Sequence, residues 1–98
     1  MGKAYYSEYS AHCLRLYARR GFDDLVKKSD MAAWQAAFDA MQKIDDGERD
    51  IVMEVYSERG PVRDAVYNVG LRTGWSENII WNLLHRIEKI VAECRGLI

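Results

Sequence analysis

Between Val62 and Cys94 two apolar periodicities are interrupted once, at Gly74, and this pattern restricts the chain more than any other. Val62, Val66 and Val69 recur at three- and four-residue spacing, which places them on one face of a short helix. Gly74 can take the left-handed conformation that lets a chain leave one helix and enter another within about three residues. Ser76 is positioned as an N-cap. Beyond it Ile79, Ile80, Leu83, Leu84, Ile87, Ile90 and Val91 make an apolar stripe suited to a helix of about five turns. Two helices joined in this way constitute either a helix-turn-helix or an ordinary helical hairpin with no DNA partner.

The remaining sequence extends the same helical plan. A first helix is expected from about Tyr5 to Arg20, with Gly21 as its stop and Arg19 and Arg20 at the negative end of its dipole. Ser29 or Asp30 is expected to cap a second helix through Met41, its face formed by Met31, Trp34, Ala37, Phe38 and Met41. Asp45 followed by Glu48 forms a capping-box pattern at the head of a third helix, which carries Ile51, Val52, Val55 and Tyr56 to about Glu58. Gly60 and Pro61 then separate it from the two-helix unit, and the proline suits a helix's first turn. With 98 residues, 49% hydrophobic, the chain suffices for one core. The expected architecture is therefore all-α: a single-domain bundle of four to five helices over 1–98, ending in a helix-turn-helix.

Several function classes lose support at this stage. No apolar run approaches the ~18 residues that would span a bilayer, and charges spread through the first twenty positions leave no apolar signal core, so a cytoplasmic protein without a membrane partner is expected. Cys13 and Cys94 lie within helical patterns and are expected as buried or half-buried free thiols. His12 and Cys13 are neighbours, but successive helical residues diverge by about 100°, so adjacency does not pair a nucleophile with a base. His12, Cys13, His85 and Cys94 lack the close spacing of a zinc site. The carboxylates Asp45, Asp46, Glu48 and Asp50 accompany no phosphate-cradling glycine loop and fit capping of a helix start. The reading is a non-enzyme without cofactor or metal.

Charge is uneven although the net is −1. Lysine and arginine stand against aspartate and glutamate as six to three over residues 1–28, three to eight over 29–60 and five to four over 61–98. A DNA reader would need Arg15, Arg19, Arg20, Arg63, Arg72, Arg86 and Lys89 on one surface, because phosphate contacts supply much of the affinity. The acidic middle equally suits a protein partner. Tyr5, Tyr6, Tyr9 and Tyr17 enrich the first helix as a packing or homodimer face. Trp81 lies off the main stripe beside His85 and Glu88, exposed to anchor a partner or packed on the first helix; Trp75 is expected to lock the turn against the core.

The run IDDGERDIVMEVYSERGPVRDAVYNVGLRTGWSENIIWNLLHRIEKIVAECRGL, residues 44–97, resembles the DNA-binding region 4 of bacterial sigma factors and the small phage and prophage regulators built on its plan. The resemblance is carried by Asp45, Asp46, Glu48 and Arg49 at a helix start, Gly70 as the small residue of the next helix, Gly74 at the turn, and Ile80 as the buried aliphatic that follows. The HCLRLYARR run and Trp34 are similar to small proteins of prophages and mobile elements. Sigma region 4 usually presents several basic residues on its second helix. Here the series is Ser76, Glu77, Asn78, Trp81, Asn82 and His85 before Arg86, Thr73 holds a place that is often apolar, and nothing resembles the polymerase-core-binding region of a whole sigma factor.

This resemblance implies a regulator that reads double-stranded DNA through residues 76–86 and holds phosphates with Arg63, Arg72, Arg86 and Lys89. Asn can read adenine, and a carboxylate can accept from cytosine. The alternative is a small phage-encoded inhibitor or adaptor, for example an anti-CRISPR, using an acidic surface of Asp39, Asp46, Asp50, Glu54 and Glu58. Its partner would be a host protein such as a defence nuclease or RNA polymerase.

Overall fold

Among the described residues five α-helices form in chain order, and the first ends differently from expectation. The computed structural model describes residues 4–98; α1 spans Ser7–Arg19 and leaves the helix at Arg20, in extended backbone. Gly21, expected as the stop, is also extended at φ −81°, so its conformational freedom goes unused. A 3₁₀ turn at Phe22–Asp24 follows at once. The carbonyl of Arg20, one of those a helix end leaves without an internal partner, accepts a 2.8 Å bond from the Trp34 indole. A distant side chain thus replaces the glycine cap.

The second helix, α2 at Lys28–Met41, begins earlier than Ser29 or Asp30 would place it. Lys27 occupies the N-cap position, and no side chain caps this end. Its buried face is Ala33, Ala36, Ala37, Ala40 and Met41, whereas Met31, Trp34 and Phe38 are only half-buried. The expected stripe is therefore rotated towards its smallest residues. Alanine lets α2 sit close to its neighbours, and the large rings pack at the margin. There Trp34 stands 4.9 Å from Tyr17, 5.6 Å from Phe38 and 5.4 Å from Phe22, centroid to centroid. These are favourable aromatic separations.

The capping box forms as expected. The Glu48 amide donates to the Asp45 carboxylate at 2.8 Å, and the Asp45 amide donates back to Glu48 at 3.2 Å, opening α3 at Asp46–Ser57. Ile51, Val52, Val55 and Tyr56 are buried. Pro61 takes the N-cap position of α4, which runs Val62–Thr73 and buries Ala65, Val66 and Val69 while Val62 stays half-buried. The last helix, α5, spans Glu77–Arg95 and ends at the left-handed Gly96. Ser76 is its N-cap by position, but its hydroxyl makes no capping bond. Ile79, expected in the buried stripe, is 55% exposed, and Ile90 is half-buried.

One cluster unites α1 (Cys13, Leu14), α2 (Ala37, Met41), α3 (Val52, Tyr56), α4 (Val66, Val69) and α5 (Ile80, Leu84, Ile87, Val91). Cys13 is buried and Cys94 half-buried, both as free thiols, and burial raises the pKa of each. Among the described residues no helix is long and apolar enough to cross a membrane.

The glycine turn supplies a direct test. Gly74 has φ +80°, and a Cβ there would meet nothing within 4 Å, so the cost of a side chain is conformational. Gly74→Val should destabilise the fold by about 1–2 kcal/mol or more, roughly 4–8 °C in melting temperature per kcal/mol. Gly74→Asn, which tolerates this region, should lose much less. Thermal melts of the two variants check the order.

Candidate nucleic-acid interface

The α4–α5 join is built from backbone and one hydroxyl. The Gly74 amide donates to the Gly70 carbonyl at 2.9 Å. Thr73 Oγ1 donates to the Val69 carbonyl at 2.7 Å and accepts from the Trp75 amide at 3.3 Å. The residue that departs from the sigma pattern therefore ties the end of α4 to the turn. Trp75 is half-buried against the core, as expected for a residue that locks the turn. A Cβ on Gly70 would lie 3.1 Å from the Trp75 carbonyl oxygen, so a small residue at position 70 permits the chain's close return.

On α5 the buried and exposed residues separate cleanly. Ile80, Leu83, Leu84, Ile87 and Val91 face inward, while Asn78, Asn82, His85, Arg86 and Lys89 are exposed. Asn78, Asn82 and Lys89 share an outward stripe at helical spacing. Ser76 and Glu77 are exposed at the helix start, beside the exposed Ile79. Trp81 does not join this stripe. It is half-buried against the core and lines a cleft beside α1, with its ring 5.9 Å from that of His85. Trp81, expected among the DNA-binding residues, is thus half-buried and turned away from the exposed stripe, while His85 is exposed and also lines the cleft.

The arginines were harder to place from sequence. Arg72 pairs with both Glu54 and Glu58 at 3.0 Å, and Arg86 pairs with Glu48. Arg19 donates to the carbonyls of Tyr56 at 3.0 Å and Glu58 at 2.6 Å, Arg20 donates to that of Asp24 at 3.1 Å, and Arg15 lies over the Tyr56 ring. Among the described residues Arg63 and Lys89 make no ion pair. The seven cations therefore do not form one free basic surface, because tertiary contacts have given most of them partners.

The acidic surface is divided in the same manner. Glu54 and Glu58 are held by Arg72, and Asp46 by Arg49 at 2.7 Å. Asp39 accepts from the Gln35 amide at 3.0 Å, and Asp50 is exposed. Asn68 donates to Glu58 at 3.1 Å; this bond, with help from Arg72, lowers the Glu58 pKa below the usual carboxylate range. Asn68 was not singled out in the sequence and Arg72 was expected on a phosphate, because their common partner Glu58 lies distant in sequence, at the end of α3.

In comparisons with known proteins, no family description, curated protein or solved structure matches this chain. The likeness to sigma region 4 consequently rests on the residues themselves.

The Glu58 contacts have a measurable consequence. A lowered pKa contributes stability above the ordinary carboxylate range, and that contribution disappears as pH falls through the lowered midpoint. Asn68→Ala should raise the Glu58 midpoint towards its ordinary value, as read by carboxyl NMR titration, with its stability cost present at neutral pH and fading in strong acid.

Proposed function

We propose that this protein is a helix-turn-helix DNA-binding transcriptional regulator of phage or prophage type, acting in the cytoplasm, with the first half of α5 entering the major groove. The reading is carried by one observation: immediately after a left-handed glycine turn, a helix buried on one side presents Asn78 and Asn82 to solvent on the other. Two amides one turn apart can meet successive base edges, and Asn accepts and donates simultaneously to adenine. Glu77, at the helix start, has the acceptor chemistry to meet a cytosine amine. In such units the beginning of the second helix contacts bases while flanking groups hold the backbone.

Phosphate anchoring is the weaker component. Lys89 and Arg63 stand ready, whereas Arg72 and Arg86 must exchange a carboxylate for a phosphate. That exchange preserves a charge-assisted bond but leaves Glu48, Glu54 and Glu58 near a polyanion. Non-specific affinity should therefore be low, and discrimination should depend heavily on the amides.

Selection from genomic fragments at low salt is expected to enrich a defined sequence. On that sequence Asn78→Ala and Asn82→Ala should each cost about 1–3 kcal/mol and relax preference at single base pairs, whereas Lys89→Ala should weaken all sequences alike. Recovery of no enriched sequence, with binding no better than that of an acidic control protein, rejects the proposal.

The carboxylate latches give a second, opposite-signed expectation. Replacing Glu54 and Glu58 together by Gln frees Arg72 and removes two negative charges. DNA affinity should rise and the slope of log affinity against log salt should steepen, by about 0.9 for each additional phosphate neutralised. A shift assay across a salt series measures both quantities.

A further inference from the structure

A cleft of about 570 Å³ is lined by α1 from Ser7 to Arg15, by α5 from Trp81 to Glu88 and by Val62 of α4. Its volume falls within the range of small-molecule sites. Trp81 and His85 line one wall from successive turns of α5, their rings 5.9 Å apart and inclined by 34°. Tyr6 also lines the space, and so do two carboxylates, Glu8 and Glu88.

Glu88 is the instructive member. It is half-buried and accepts from Ser7 Oγ at 2.5 Å and from Tyr56 Oη at 3.2 Å. Both donors are neutral hydroxyls. Burial beside Glu88 pushes the Tyr56 pKa up, so Tyr56 remains a donor. A carboxylate has about four lone-pair positions, and among the described residues no cation pairs with either Glu88 or Glu8. Arg15 also borders the cleft, but its guanidinium lies over the Tyr56 ring, 5.9 Å from the centroid. Aromatic faces together with unmatched carboxylates favour a positively charged guest, since ring faces attract cations and a carboxylate accepts strongly from them.

We propose that the cleft between α1 and α5 is a binding site for a small organic cation, a guanidinium or alkylammonium group that stacks on Trp81 and pairs with Glu88 and Glu8. A planar guanidinium suits it best, because it can lie against an indole while its edge donates to a carboxylate. Asn78 and Asn82 do not line the cleft, and the proposal does not depend on DNA reading.

Agmatine, which carries both kinds of cation, is a suitable probe, with the indole N–H signals followed by NMR and assigned by single Trp→Phe replacements. Saturable movement of the Trp81 signal is expected at millimolar concentrations or below, with Trp34 and Trp75 unmoved. Glu88→Gln should weaken binding roughly tenfold. Glu8→Gln, at an exposed position outside the Glu88 hydrogen bonds, provides a variant expected to fold normally and should also weaken it. N-acetylarginine amide distinguishes a side chain of a partner protein, if it binds more tightly, from a free amine, if agmatine does; either order supports a cation site. Absence of saturation at tens of millimolar, unchanged affinity in both carboxylate variants, or an equal response to benzoate overturns the proposal.

Discussion

Glu88 is the polar point at which α1, α3 and α5 are held together. Ser7 and Tyr56 donate to its carboxylate, and Ser10 donates to its backbone carbonyl at 2.7 Å. Among the described residues Ser7 and Ser10 are the buried polar ones, and both bond to this one residue. Taking hydroxyls and a carboxylate out of water is costly unless they bond to one another. That requirement fixes the lengthwise register of α1 on α5, which apolar contacts alone would leave freer to slide. The same knot sets Glu88 against the start of α1, in the cleft that Trp81 and His85 also line.

Arginine has a comparable role at the helix ends. Arg19 bonds the carbonyls at the end of α3, and Arg49 donates to those of Met41 at 2.9 Å and Ile44 at 3.2 Å beyond α2. Carbonyls at a helix terminus have no internal partner, and a guanidinium has enough donors to serve two. Arg72 and Arg86 similarly bind α4 and α5 to carboxylates of α3. Exposed pairs of this kind add little stability individually, but they occupy cations that a nucleic-acid surface would use. In the proposed regulator, a nearly neutral chain built in this manner would have to read DNA through amides more than through charge.

The α3–α4–α5 unit was legible because its signals are local. The Asp45–Glu48 box, the left-handed Gly74 and the aliphatic spacing of α5 each involve residues within a turn or two of one another; the box and the turn formed where expected, and the α5 stripe did so except at exposed Ile79 and half-buried Ile90. The front of the chain was less legible. Gly21 and Ser29 carry the expected cap chemistry, but the Arg20 carbonyl is bonded by Trp34 and the α2 start has no side-chain cap. On α2 the large residues suggested the core, whereas close packing favoured alanine. Hydrophobicity identifies which residues avoid water; it does not identify which of them fit between two helices.

By itself the sequence determined an all-helical chain, its glycine turn, its capping box and the outward amides of α5, because helix periodicity, capping and left-handed backbone are properties of neighbouring residues. Tertiary structure alone decided which arginines remain free, where Trp81 turns and how Glu88 is satisfied. Their partners lie on other helices, distant in sequence, and an ion pair or buried hydrogen bond exists only once folding brings both groups within about 3 Å.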